Sequence, residues 1–188
     1  MLARLLLSRL TPRTPLSSWW PGAFARYLSG LEYQRLEPLV QSAARDVARD
    51  LRTEMREEMA AMRRDGIELW LVSATVDLLA EAVARELGFD ACVCTRLERE
   101  GDRYEGTLRG PVCRGEEKLR RVEAELTARQ RKPDWPACSY YADGYEDLPL
   151  LEAVGSPVAV HPDERLLAVA KQRDYRRIGP SRGHRAGG

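Results

Sequence analysis

Apolar residues in the second quarter of the chain recur every three or four positions: Leu36, Val40, Ala44, Val47, Leu51, Met55, Met59 and Met62. Arg and Glu fill the positions between them. This spacing predicts one long amphipathic helix that closes at Asp65-Gly66, where glycine can serve as the C-terminal cap. Its Met stripe reads as core packing rather than as a partner groove. Upstream, Leu2, Leu5, Leu6 and Leu10 suggest a short helix stopped by Pro12 and Pro15. Trp19, Trp20, Phe24, Tyr27 and Leu28 lie at helical spacing around Pro21.

From Ile67 the pattern changes. Residues 67–72 form a short apolar run of the kind that makes a buried strand. A helix is expected over 76–87, ended by Gly88, and a strand over 91–97. Gly101-Asp102 marks a turn, which predicts a β-hairpin over about 95–108. Further helices are expected over 116–129, 146–153 and 164–171, and strands over 138–142 and 157–160. The tail 179–188, built of Gly, Pro, Ser and Arg, reads as disordered. Strands alternating with helices imply βαβ units and a mainly parallel, Rossmann-like sheet, an α/β fold. Ligands of such sheets sit at the carboxyl ends of the strands. That rule directs attention to Ser73, to Asp143 and to the loop after Val160. Neither a G-x-G-x-x-G fingerprint nor a phosphate-binding G-x-x-x-x-G-K-[ST] loop is present.

Composition removes several classes of partner. The 188 residues carry 30 Lys+Arg against 29 Asp+Glu, a net charge of +1. This balance gives no reason to expect a nucleic acid or an anionic membrane. No segment approaches the roughly 20 apolar residues of a membrane-spanning helix. A tail rich in arginine (Arg173, Arg176, Arg177, Arg182, Arg185) offers a weak case for nucleic acid, with no aromatic stacking platform beside it. Cys92, Cys94, Cys113 and Cys138 form no C-x-x-C pair and have no nearby His at zinc spacing, so a reduced, cytoplasmic protein is the expectation. Residues 1–31 hold Arg4, Arg9, Arg13 and Arg26 and no acid. That composition resembles a targeting segment, but a basic helical part of the folded protein accounts for it better.

Three polar features fall at strand ends. Ser73 closes the run Leu71-Val72-Ser73-Ala74-Thr75, before a helix; it is either a helix N-cap or a phosphate contact. Asp143 and Asp147, in Ala142-Asp143-Gly144-Tyr145-Glu146-Asp147, are oxygen donors suited to Mg²⁺, or else turn and capping residues. The chain uses Lys only at Lys118, Lys132 and Lys171, and a compact ammonium at Lys118 suits a phosphate oxygen. The preference for Arg elsewhere reads as codon composition.

The order of these features resembles the haloacid dehalogenase-like (HAD) hydrolases, subfamily IB, the phosphoserine-phosphatase-like group. Leu71-Val72-Ser73-Ala74-Thr75 is similar to the second motif of that family. The stretch from Gly110 to Lys118 is similar to the third, and that from Tyr141 to Gly155 to the fourth. The run Pro157-Val158-Ala159-Val160-His161-Pro162-Asp163 is similar to the family's segment after the fourth motif. The likeness spans about residues 20–178. It implies a helical cap over residues 1–65, an α/β core over 66–178 that includes the hairpin, and Mg²⁺-dependent hydrolysis of a small phosphorylated metabolite. By the same resemblance, Ser73 and Lys118 bind the phosphoryl group. Asp143 ligates Mg²⁺, and Asp147 supports the metal or orients Lys118. Gly144 stands where Ser is common, and His161 where Asn is usual.

The family's first motif, an Asp-x-Asp-x-Thr loop after an apolar strand, has no counterpart; the first acidic residue of the chain is Glu32. Its first Asp is the nucleophile that forms an aspartyl-phosphate, and its second moves the proton. The resemblance therefore implies a sheet without its central N-terminal strand, and a chain whose Met1 is an internal or misassigned start. It also implies little or no activity for these 188 residues. The alternative is a non-catalytic relative that binds a phosphorylated ligand or a protein.

Overall fold

The computed structural model describes residues 4–7 and 20–180. Its central strands are β1 (Arg4–Leu7), β2 (Glu68–Val76), β3 (Ala91–Thr95), β6 (Ser139–Ala142), β7 (Ser156–Val160) and β8 (Arg176–Ile178). They form a six-stranded, wholly parallel sheet in the order β3-β2-β1-β6-β7-β8. The short pair β4 (Leu97–Glu100) and β5 (Arg103–Leu108) forms the expected hairpin. The helices are α1 (Trp20–Leu28), α2 (Tyr33–Arg49), α3 (Thr53–Arg64), α4 (Asp77–Glu86), α5 (Glu116–Ala128), α6 (Leu148–Ala153) and α7 (Glu164–Gln172). Alternate residues of each strand supply opposite faces, as the pleat requires. Leu69, Leu71, Tyr141, Val158 and Val160 pack with residues of α1 to α4. Trp70, Val72, Tyr140, Ala142 and Ala159 pack with residues of α5 to α7. Burial on both faces is why these strands read as continuous apolar runs rather than alternating ones.

The expected gap in the sheet is filled. Arg4–Leu7 is its central strand, not a helix, with Leu5 opposite Leu69 and Ser139, and Leu7 opposite Leu71 and Tyr141. Three consecutive leucines satisfy a helical stripe and a buried strand equally well, and here the two flanking strands decide. These residues therefore belong to the core sheet and not to the helical module. The single long helix is also corrected to two, α2 and α3, interrupted at residues 50–52. No Gly or Pro causes the break. Leu51 is buried in it, and the Ala48 carbonyl at the end of α2 accepts both the Leu51 N–H at 3.4 Å and the Arg56 guanidinium at 2.9 Å.

The hairpin is bonded to the helical module. Gly30 N–H donates to Tyr104 O at 2.8 Å, Tyr33 N–H to Asp102 O at 2.8 Å, and Arg103 pairs with Glu32. Strand β8 had no clear signal, because a three-residue edge strand carries no period. Among the described residues no helix is long and apolar enough to cross a membrane. Most of the expected disordered tail, 181–188, lies outside the described residues.

Candidate active site

The carboxyl edge of the sheet gathers the three sequence-selected features. Ser73 lies within β2, not at its end: the strand continues to Val76, with a register shift against β3 between Val72 and Val76. Helix α4 is preceded by Val76 and has no side-chain cap, so Ser73 is not its N-cap. Its Oγ instead accepts the Thr75 N–H at 3.1 Å, which folds the irregular stretch around the hydroxyl. A buried threonine that sequence reasoning missed ties this stretch to its neighbours. Thr95 Oγ1 donates to Ala74 O at 2.7 Å and accepts the Cys113 N–H at 3.0 Å. Its only sequence signal was a hydroxyl at the end of an apolar strand.

Lys118 sits in the first turn of α5, behind Gly115. Gly115 has φ 55° and ψ −131°, a conformation open in practice only to glycine. The turn aims Lys118 inward. The residue is 4 % exposed, with Nζ 2.6 Å from Asp147 Oδ1 and 3.4 Å from the Tyr140 hydroxyl. Asp147 is thus in direct contact with Lys118. The Cys113 thiol nearby is pushed up to about 11 by burial, which outweighs the opposing charge of Lys118. It stays protonated near neutral pH and is no thiolate nucleophile.

Asp143 follows β6 and is 3 % exposed. Its carbonyl accepts the Asp163 N–H at 2.8 Å. Asp163 in turn accepts the Tyr145 N–H at 2.9 Å and, as N-cap of α7, the Leu166 N–H at 2.8 Å. A Cβ at Gly144 would meet Asp163 Oδ2 at 3.7 Å, an ordinary contact, so nothing at the Cβ position demands glycine there. His161 precedes this turn and bonds Glu54 of α3, with Nε2 2.6 Å from Oε1. At the rim, Arg114 pairs with Glu146, and the Arg165 guanidinium stacks 3.9 Å from the centre of the Tyr145 ring.

β1 ends at Leu7, level with Leu71 and Tyr141, and so points between Ser73 and Asp143. The next residues, 8–19, lie outside the described residues; their sequence contains no Asp or Glu. The donor set for a metal is correspondingly spare. Among the described residues no three His, Cys, Asp or Glu side chains converge. One buried carboxylate at a strand end fits a Mg²⁺ that completes its shell with water and substrate phosphate, not a closed protein cage. The arginine-rich tail is partly accounted for by the fold: Arg173 pairs with Glu152 and Arg176 with Glu58. Arg182 and Arg185 lie outside the described residues.

Comparison with known proteins gives a consistent picture. The family model of the haloacid dehalogenase-like hydrolases matches residues 21–152. Phosphoserine phosphatase SerB1 of Mycobacterium tuberculosis is 29% identical over 150 residues, covering 79% of this chain and 48% of that protein. The chain thus spans about half the length of the curated relatives it matches first. The crystal structure of a protein of unknown function from Bordetella pertussis superposes with a TM-score of 0.79 at 23% identity, covering 95% of this chain and 99% of that one. A phosphoserine phosphatase in its apo form superposes with a TM-score of 0.65 at 14% identity, covering 95% and 94% of the two chains. These two likenesses concern the fold.

Proposed function

The chain belongs to the haloacid dehalogenase-like hydrolase family, and from that premise we propose that it carries the phosphate- and Mg²⁺-binding half of a phosphoserine-phosphatase-like site for small phosphomonoesters. The observation that carries the reading is the buried Lys118–Asp147 pair, its carboxylate four residues on from the equally buried Asp143 that follows β6. Lys118 presents an ammonium to phosphoryl oxygens, with Asp147 and the Tyr140 hydroxyl fixing its direction. The Ser73 hydroxyl holds a second phosphoryl oxygen from the β2 side. Asp143 holds Mg²⁺, which when bound neutralises phosphoryl charge. The four free thiols suit a reducing, cytoplasmic setting.

Turnover by the family's covalent route requires a carboxylate in line with phosphorus and a second group to move the proton. Both follow the central strand in the family, and residues 8–31 of this chain contain no Asp or Glu. The reading for these 188 residues is therefore binding of phosphate and phosphomonoesters without efficient hydrolysis. Thermal melting of the purified protein with and without Mg²⁺ plus inorganic phosphate tests it. The expected result is a cooperative melt raised by the two together, and not raised in Asp143→Asn. A melt indifferent to both ligands refutes the proposal.

A further inference from the structure

His161 follows β7 with φ 44°, in the left-handed region. Gln130 and Asp174, the other non-glycine residues with positive φ among the described residues, each lie just past a helix end, where that conformation is ordinary. His161 ends no helix, and three contacts define its place instead. Its N–H donates to Ile178 O at 2.8 Å. Its ring lies against Gly179, where a Cβ would fall 2.2 Å from Cε1. Its Nε2 reaches Glu54 Oε1 at 2.6 Å, across 107 residues of sequence. Glu54 stands in the first turn of α3, the helix that brings the chain from the helical module back to β2. Its carboxyl is held below the usual range, first by a backbone hydrogen bond and then by His161, so it accepts as a carboxylate.

The turn after His161 leads to the site. Asp163 N–H holds the Asp143 carbonyl, and the Asp163 carboxylate holds the Tyr145 amide. We infer that His161 is a positioning residue: by bonding Glu54 it fixes the 161–163 turn and, through Asp163, the Asp143 loop, so that the seating of α3 is transmitted to the carboxylate that holds Mg²⁺. Asn, usual here in the resembling family, also tolerates the left-handed conformation, but it is too short to make the same reach to Glu54. The connection to α3 is thus a property of histidine at this position. The functional part of this inference rests on the role proposed for Asp143; the mechanical part does not.

Amide hydrogen exchange on the full chain tests the mechanical part without any ligand. Loss of the contact in Glu54→Ala or His161→Asn is expected to speed exchange of the Tyr145 and Asp163 amides by about tenfold, with Val93 on β3 unchanged. The double variant should exchange no faster than the faster single, because both remove one contact. Glu54→Gln keeps an acceptor and should stay within about twofold of the parent. Unchanged exchange in Glu54→Ala, additive acceleration in the double, or acceleration spread evenly over the sheet would each overturn the coupling. In a second arm, Glu54→Ala should weaken the Mg²⁺ plus phosphate stabilisation several-fold; full retention of it, with Tyr145 exchange accelerated, overturns the link to the site. If the parent protein itself binds neither ligand, the functional reading has failed while the exchange result still decides the coupling.

Discussion

The two halves of the carboxyl edge differ in kind. On the α5 and β6 side, Lys118, Asp147 and Asp143 are each at most 4 % exposed, and the first two are joined by a 2.6 Å ion pair. On the β1 side, the strand is in place but the residues after it offer no carboxylate. On the proposed function, the contrast separates holding an anion from breaking its bond. Replacing such a pair by apolar side chains is often neutral or stabilising, so stability alone does not account for the ammonium at this edge, in keeping with the ligand role proposed for Lys118.

The sharpest way to break this contrast is to remove one member of the pair. Asp147→Ala leaves the Lys118 ammonium buried and uncompensated, and should cost about 3–5 kcal/mol in urea unfolding. A loss under about 1 kcal/mol, the range of exposed pairs, would mean that the pair is not buried in solution. The double variant Lys118→Met with Asp147→Leu should recover that stability while losing phosphate binding. Phosphate binding that survives it would remove Lys118 from the site. A smaller effect is expected at the turn that aims Lys118. Gly115→Ala forces an alanine into a glycine conformation, for about 1–3 kcal/mol, with weaker phosphate binding.

The smallest effect concerns the half-buried acid Glu117 and its partners, exposed Arg120 and half-buried Arg121, a foil for the fully buried pair. Glu117 is lowered to about 2, chiefly by the Arg120 guanidinium and next by Arg121. It binds fewer protons folded than unfolded, so its stabilisation is complete above about pH 4.5 and is lost as pH falls toward 2. Glu117→Gln should flatten the acid limb of the stability curve over that interval and leave phosphate binding near neutral pH unchanged. An unaltered limb would show that the ion pairs of Glu117 are not formed in solution.

Legibility in the sequence tracked the range of the interactions. Helices α4, α5 and α7 and strands β3, β6 and β7 were readable because apolar period and turn residues sit within each segment. Lys118 stood out against a background of arginine, and Asp143 against its apolar strand. The central strand was not readable, because four residues carry no period and only β2 and β6 make Arg4–Leu7 extended. The break at residues 50–52 was hidden for the opposite reason: the apolar stripe runs on through Leu51, which stays buried in the turn. The contact of Glu54 was invisible, since its partner His161 is 107 positions away.

One paired measurement tests the central claim most directly: phosphate binding and aryl phosphate hydrolysis on the same preparation, with Mg²⁺, for the parent protein and Asp143→Asn. The expected result is Mg²⁺-dependent phosphate binding by the parent, its loss in the variant, and no hydrolysis by either. Hydrolysis by the parent that Asp143→Asn abolishes would contradict it, because the site would then be complete without an acid from residues 8–31.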